Sequence, residues 1–410
     1  MNRTLIWQLA FRYLRGKRSA NAVTILSRIS MVAIGVSSAA IIIIFSVCNG
    51  LTSLTKDQYK GFYPDIRVTT ARGKFFPVDT AKLTAIRKIK GVRFVTCAIE
   101  DNALAINGNQ QKVITVKGID SNYMLVNDLG QYIKRGDTAV SEGPAAPTCI
   151  AGRVIFNELG VDITNLISIT INYPDPTIKD PSADPLSAYR SIGLQPAGVF
   201  SITDEFDSKY LLAPLRLVQG LFHAPGQCSS IEIKTDDAYT GHVQQELKEL
   251  WGNQYKVETR FEQNRTIYML LSGEKWAIYG ILILVLLIAS FNMVGALSML
   301  VLEKQKDIGI LKAMGADAKT IRTIFLFEGT LWSLAGGIAG IAIGTLLCLL
   351  QQKYGFIKMG SSFVVDAYPV EIQVPDILLD LLTIFSVGLL AAWYPAMRAN
   401  RITDISLKST

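Results

Sequence analysis

Nineteen consecutive residues, ISMVAIGVSSAAIIIIFSV (29–47), carry no charge. As a helix at ~1.5 Å per residue this run is long enough to cross a hydrocarbon core of ~30 Å. Three more apolar runs follow: AIYGILILVLLIASFNMVGALSMLVL (277–302), the stretch Ile324 to Leu350 broken among charged residues only by Glu328, and ILLDLLTIFSVGLLAAWY (377–394), with Asp380 near its start. Half of the 410 residues are hydrophobic and mean hydropathy is +0.30, so the apolar residues are bunched into runs rather than spread over one large core. The chain reads as an α-helical membrane protein with four transmembrane helices.

Charge sets the orientation. Residues 1–50 hold Arg3, Arg12, Arg15, Lys17, Arg18 and Arg28 and no acid, whereas residues 51–270 balance to zero. A basic flank before a first span is the positive-inside signature, which puts the N-terminus in the cytoplasm. Four spans return the C-terminus to the same side, in keeping with Arg398, Arg401 and Lys408. Because the basic excess lies at a membrane flank, the net charge of +7 argues against nucleic-acid binding. The first run exceeds a signal-peptide core of ~7–15 residues and reads as a retained span. Before it, WQLAFRYLRGKRSAN (7–21) places Trp7, Phe11 and Leu14 on one face, as in a helix lying along the membrane surface.

The resulting layout is a cytoplasmic amphipathic helix (1–24), a first span (25–50), an inserted domain (51–265), a stalk and second span (266–302), a short cytoplasmic helix (303–316), a third span (317–351), a loop (352–375), a fourth span (376–396) and a cytoplasmic tail (397–410). The insert is a large α/β domain. PDIRVTT and RFVTCAIE read as strands around the helix DTAKLTAIRKIKG, and ALAING with QQKVITVKGI reads as a hairpin turning at Asn107-Gly108. SSIEIKT, a helix from Ala238 to Leu250, and YKVETR repeat the theme. Between these halves, Asp120 to Gln227 reads as an inserted second lobe with strands at TNLISITINY and GLQPAGVFS. Its segment 174–192 carries Pro174, Pro176, Pro181 and Pro185, a density that blocks pairing and stiffens a protruding loop.

Cys97, Cys149 and Cys228 fall in the insert without CxxC spacing, so one disulfide is allowed and its pairing stays open. No G-x-x-x-x-G-K-[ST] occurs, and the glycine-rich run GTLWSLAGGIAGIAIGT is intramembrane and lacks the phosphate-binding lysine. Neither a catalytic constellation nor a metal-ligand spacing emerges, and no cofactor is expected on this chain. Gly336, Gly340 and Gly344 form a GxxxGxxxG row suited to close helix packing, and Asn292 and Glu328 are polar groups that must face protein or water.

LEKQKDIGILKAMGA (302–316) lies between the second and third runs. Glu303, Lys304, Lys306 and Asp307 make a charged start, Ile308, Leu311 and Met314 share a helical face, and Gly315 suits a left-handed stop before Asp317 caps the next helix. An apolar face in water needs a partner surface, either lipid headgroups, as for an interfacial helix, or protein.

The run FNMVGALSMLVLEKQKDIGILKAMGADAKTIRTIFLFEGTLWSLAGGIAG resembles the second span, coupling helix and third span of ABC-transporter permeases related to FtsX and MacB. Within that superfamily, ISMVAIGVSSAAIIIIFSVCNGL resembles the first span of the LolC/LolE lipoprotein-releasing permeases, and DAYPVEI and YPAMRANRITDISL match in kind around the fourth. The resemblance implies a bacterial inner-membrane subunit whose insert is periplasmic. It implies pairing with a second permease, identical or homologous, and a separate LolD-like ATPase that uses ATP and Mg and grips Glu303, Lys304, Lys306, Asp307, Ile308, Leu311, Met314 and Gly315. A LolA-like periplasmic carrier would meet the loop bearing Pro174, Pro176, Pro181, Pro185 and Tyr189. Lipoprotein acyl chains would pass between the first and second spans, where Ile34, Ile41, Phe45, Ile281, Leu284, Ile288 and Asn292 are expected to line a cavity. The rival readings are a MacB-like or FtsX-like mechanotransmission permease and, from another class, a membrane-anchored sensor without transport.

Overall fold

The computed structural model describes residues 22–143, 146–163, 168–175, 188–359 and 367–406, so the amphipathic segment 7–21 lies outside the described residues. The chain divides into two compact units, one of them Thr55–Met269 and the other drawn from the residues before and after it.

The second unit is helical: α1 (Ala22–Lys60), α2 (Arg265–Glu303), α3 (Gln305–Ala313), α4 (Ala318–Tyr354) and α5 (Val374–Ser406). Among the described residues four helices are long and apolar enough to cross a membrane: α1, α2, α4 and α5. Two run beyond the lengths read from hydropathy. The first was expected to end at residue 50, but α1 runs on through Gly50 to Lys60, with no proline in the way. The fourth was expected to end at 396, but α5 passes through Pro395 to Ser406. Proline removes one backbone bond. Packing of Ala396 and Ala399 beyond it carries the helix onward.

Helix α4 is the hub of this unit. Its GxxxGxxxG row abuts α1 at Met31, Gly35 and Ala39: a Cβ on Gly340 would lie 2.1 Å from the Gly35 carbonyl oxygen, and one on Gly336 would lie 2.5 Å from that of Met31. Gly337 meets Ile384 of α5, and Gly329 meets Ala392 of α5 and Leu297 and Met293 of α2. Small residues therefore let the backbones touch where lipid supplies no hydrophobic drive between helices. Ser38 of α1 donates a hydrogen bond towards Asp380 Oδ2 of α5 (2.7 Å) and lies 3.1 Å from the Gly337 carbonyl oxygen, so the buried carboxyl is tied to α1.

In the inserted unit a ten-stranded mixed sheet contains β1 (Ile66–Thr70), β2 (Val92–Asn107), β3 (Gln110–Ile119), β4 (Ile133–Gly136), β5 (Thr148–Gly152), β6 (Ile169–Pro174), β7 (Tyr189–Phe200), β8 (Tyr210–Pro214), β9 (Ser230–Thr235) and β10 (Tyr255–Thr259). The order is β10-β1-β9-β2-β3-β8-β5-β7-β4, and β6 pairs with both β2 and β7, closing β2-β3-β8-β5-β7-β6 into a ring. RFVTCAIE and ALAING, read separately from sequence, are one 16-residue strand, β2. Its first half pairs with β9 and its second with β3 and β6, so this strand joins the two lobes. Helices Thr80–Lys88 and Thr240–Trp251 cover one face over Ile66, Val68, Ile231, Ile233 and Val257. Cys97 and Cys228 share that core as free thiols, while Cys149 lies in the ring's core, which narrows the open pairing to one candidate couple.

The opposite face buries charge. Lys117 Nζ is 2.7 Å from Glu232 Oε1 and 3.6 Å from Glu100 Oε2, Arg67 pairs with Glu100, and Asn127 donates to Glu232 Oε2 at 2.7 Å. The rings of Phe62 and Tyr123 cover the ammonium at 5.3 and 5.0 Å. Burial opposes ionisation of Glu100, but Lys117 and Arg67 outweigh it and hold the carboxyl at about 2. Burial likewise opposes the charge on Lys117, and Glu232 reverses that and raises its pKa. Each member of the set thus compensates another's desolvation.

Two outcomes are expected. Gly340→Val drives a side chain into the Gly35 backbone and lowers the yield of folded protein in detergent, whereas Gly280→Ala, whose Cβ meets nothing within 4 Å, leaves the yield unchanged. Glu100 has a depressed folded-state pKa, so its stabilisation is complete above about 4.5 and is lost as pH falls towards about 2. Melting temperature should drop over that window in the wild type and drop less steeply in Glu100→Gln.

Candidate functional site

The short helix α3 is set off from α2 by Lys304, which departs from helical geometry, and is stopped by Gly315 at φ +90°. Gly315 N–H donates to the Lys312 carbonyl and Ala316 N–H to that of Leu311, both at 2.9 Å, which closes the helix end. Asp317 then accepts from Thr320 N–H at 3.1 Å and starts α4. Lys304 Nζ pairs with Asp307 Oδ2 at 2.8 Å.

Periodicity had put Ile308, Leu311 and Met314 on one exposed apolar face, and here the structure differs. Ile308 is only 2% exposed, packed with Val301, Ile321, Phe325, Ala396 and Ala399 from α2, α4 and α5, and Leu311 is half-buried. The open face instead carries Glu303, Lys306, Ile310, Ala313 and Met314. Ile310 and Met314, one turn apart, expose 61% and 77% of their surface. The helix is thus bolted to the membrane helices by one face and offers the other.

The expected cavity residues do not come together within this chain. Ile34, Ile41 and Phe45 of α1 are buried against neighbouring helices, while Ile281, Leu284, Ile288 and Asn292 of α2 point outward. Outward stripes do exist, at Ile25, Ile29, Val32 and Val36 on α1 and at Ile281, Leu284, Ile288 and Phe291 on α2. Apolar periodicity identifies stripes but not which of them a neighbour covers, hence the mixed set.

Of the proline segment, Pro176, Pro181 and Pro185 lie outside the described residues. Pro174 and Tyr189 belong to strands, not to the loop as expected: they pair across as the last rung of the β6–β7 hairpin. A strand's end tolerates proline because no further ladder bond is asked of it. Arg190 Nε donates to Asp175 Oδ2 at 2.7 Å and Asp175 N–H to the Ala188 carbonyl at 3.0 Å, clamping the loop's base. Tyr189 is half exposed there.

A further polar cluster escaped the sequence reading. Asn49 of α1, Lys275 of α2 and Asp376 of α5 converge: Lys275 Nζ lies 2.8 and 3.1 Å from the Asp376 oxygens and 3.0 Å from Asn49 Oδ1, and Asn49 Nδ2 donates to Asp376 Oδ2 at 2.6 Å. Glu371 N–H donates to the Ser46 carbonyl at 2.8 Å, and a Cβ on Gly50 would lie 2.4 Å from the Pro369 carbonyl oxygen, so Pro369–Glu371 lies against α1 over its Ser46–Gly50 stretch. The signal was topological. The end of a first span and the starts of a second and a fourth fall on one side of a membrane, and each carries one polar residue of this set.

Fold and site together define a membrane protein of several span-length apolar helices with an inserted α/β domain. The family model for the FtsX-like permease C-terminal region matches residues 279–403, and that for the MacB-like periplasmic core domain matches residues 27–250. The lipoprotein-releasing system transmembrane protein LolE of Haemophilus influenzae is 24% identical over 422 residues, covering 98% of both chains. LolC of Neisseria meningitidis serogroup B is 23% identical over 416 residues, covering 96% of both. Among solved structures, the periplasmic region of MacB from Actinobacillus actinomycetemcomitans aligns with a TM-score of 0.35 at 13% identity, covering 51% of this chain and 94% of that one. The chain belongs to the FtsX/MacB-like permease family, and over nearly its whole length it is similar to LolE and LolC.

The burial pattern of α3 separates two kinds of substitution. Ile308→Asp puts a charge into a packed cluster and should cost about 3–5 kcal/mol, read as a large fall in melting temperature. Ile310→Asp and Met314→Asp should stay within about 0.5 kcal/mol of the wild type.

Proposed function

We propose that this chain is the permease subunit of an ATP-driven complex that lifts outer-membrane-destined lipoproteins out of the bacterial inner membrane and passes them to a periplasmic carrier. The observation that carries the reading is the near-complete coverage of the LolE and LolC relatives, which takes in both the membrane helices and the insert. In this reading both termini and α3 are cytoplasmic and the sheet domain is periplasmic, as the basic flank before α1 favours.

A separate LolD-like ATPase holds ATP and Mg and seats the open face of α3. Ile310 and Met314 supply apolar contact there, and Glu303 and Lys306 supply register. The buried face, through Ile308, hands motion of that ATPase to α2, α4 and α5. The outward stripes of α1 and α2 face lipid, the second permease and the acyl chains drawn between them. Each buried CH₂ resists extraction by ~0.8 kcal/mol, so an apolar passage and ATP-driven closure are both required. In this reading the segment between Asp175 and Arg190, whose ion pair joins its two flanks, is what a LolA-like carrier meets. A MacB-like or FtsX-like role, moving periplasmic substrates or transmitting force to a wall hydrolase, is the second reading, favoured by the two family models.

The permease should co-purify with an ABC ATPase in mild detergent, and Ile310→Asp combined with Met314→Asp should release that ATPase from a folded permease. Reconstituted in liposomes with its partner permease and ATPase, the complex should move a lipoprotein to soluble carrier on ATP addition. ATP hydrolysis without lipoprotein transfer, but coupled to a periplasmic ligand or hydrolase, would replace the first reading by the second.

A further inference from the structure

We propose that the cluster Asn49–Lys275–Asp376 is the latch of a lateral gate formed by the first half of α2, which must unclasp from α1 and α5 for an acyl chain to pass; this rests on the lipoprotein reading above. The two halves of α2 are held differently. All its buried residues, from Leu286 through Met293 and Leu297 to Val301, lie in the second half, packed on α4, on α5 and on Ile34 of α1. Before Leu286 no residue of α2 is buried, and Trp276, Ile281 and Leu284 are more than half exposed. The start of this half is held by Ile267, packed among Tyr59, Phe62 and Phe206, and by Tyr268 beneath Lys56 of α1. Further along, it is tied to α1 and α5 by polar and aromatic contacts from one face, one turn apart. Lys275 reaches Asn49 and Asp376, and Tyr279 OH lies 2.5 Å from Thr383 Oγ1 with its ring 5.4 Å from that of Phe45.

Everything around this half is firm. Helices α1, α4 and α5 are joined by backbone-close glycine contacts, and Pro369–Glu371 is pressed onto α1 beside Asn49. Motion at this end therefore falls to α2. Gly280 sits between the clasp and the packed half, and a Cβ there would meet nothing within 4 Å. Packing within this chain does not demand glycine at 280, and glycine there adds backbone compliance to the helix. Lys275 keeps 29% of its side-chain exposure, so water can take over its hydrogen bonds as the clasp parts. A latch made of hydrogen bonds releases over a short displacement, unlike a packed apolar seam. Its opening uncovers Phe45, 1% exposed when closed and directly beneath the Lys275 ammonium at 5.0 Å from the ring centroid. An apolar surface thus appears only when the gate is open, and an acyl chain is what would cover it.

The test uses the full complex in membranes and reads the gate separately from transport. Cys48 adjoins the clasp on α1 and reports opening by its rate of labelling with a small charged methanethiosulfonate, in a background where the other four cysteines are replaced by alanine. Asp376→Asn should raise that rate at least several-fold, and Lys275→Asp with Asp376→Lys should bring it back towards wild type. Unchanged labelling in Asp376→Asn overturns the latch. In a cysteine-free background, Lys275→Cys with Asp376→Cys joined by a short, reducible bis-methanethiosulfonate should stop lipoprotein release and regain it on reduction. Release that continues through a quantitative cross-link also overturns the latch. Failure of the lipoprotein reading shows differently: the uncross-linked wild-type complex would release no lipoprotein, while Cys48 labelling would still respond to Asp376→Asn.

Discussion

The membrane half of this permease rests on the contact between backbones of α1 and α4. Gly336, Gly340 and Gly344 face Met31, Gly35 and Ala39 so closely that a methyl group at the middle position would enter the opposing carbonyl. In lipid, helices gain little from burying apolar side chains against each other, and close approach with its dispersion contacts does the joining. Once α1 and α4 are locked, α5 follows through Gly337, Ile384 and Gly388, and the Ser38–Asp380 bond fixes its register. The loosely held half of α2 is then a property of the frame: it is the piece the glycine contacts leave out.

The inserted domain meets the opposite problem. Its sheet needs both faces covered, and one face is covered by charge. Lys117 and Glu232 are almost wholly buried, and Arg67 and Glu100 complete the balance. Such a set gains little over an apolar core but is costly to break singly, so it specifies one arrangement of β1, β2, β3 and β9. It lies where the long β2 passes from one lobe to the other, so the junction of the lobes is fixed by geometry-sensitive bonds rather than by a deformable oily seam.

Much of this was legible in the sequence because it depends on local pattern. Span-length apolar runs, the glycine row, the stop at Gly315 and most strands are periodicities or single-residue conformational demands. What was not legible depends on which side of an element another element covers. Arg67, Glu100, Lys117 and Glu232 alternate with apolar residues as a solvated strand face would, and only the arrival of Phe62 and Tyr123 makes that face an interior. Ile308 belongs by spacing to an exposed stripe of α3, yet Ala396 and Ala399, nearly ninety residues away, cover it. Asn49, Lys275 and Asp376 are separated by more than three hundred positions end to end, and no local window contains them.

The passage of α5 through Pro395 has a consequence of its own. Because the helix does not stop there, the residues that grip Ile308 and the carboxylate that holds Lys275 are carried on one continuous rod. Asp376 and Ala396 are about 30 Å apart along it at ~1.5 Å per residue. A few degrees of tilt imposed where α3 is seated therefore becomes a shift of ångström size at the far end, comparable to the reach of a hydrogen bond. In the proposed coupling no relay of side chains is needed between the two ends; the helix itself is the linkage.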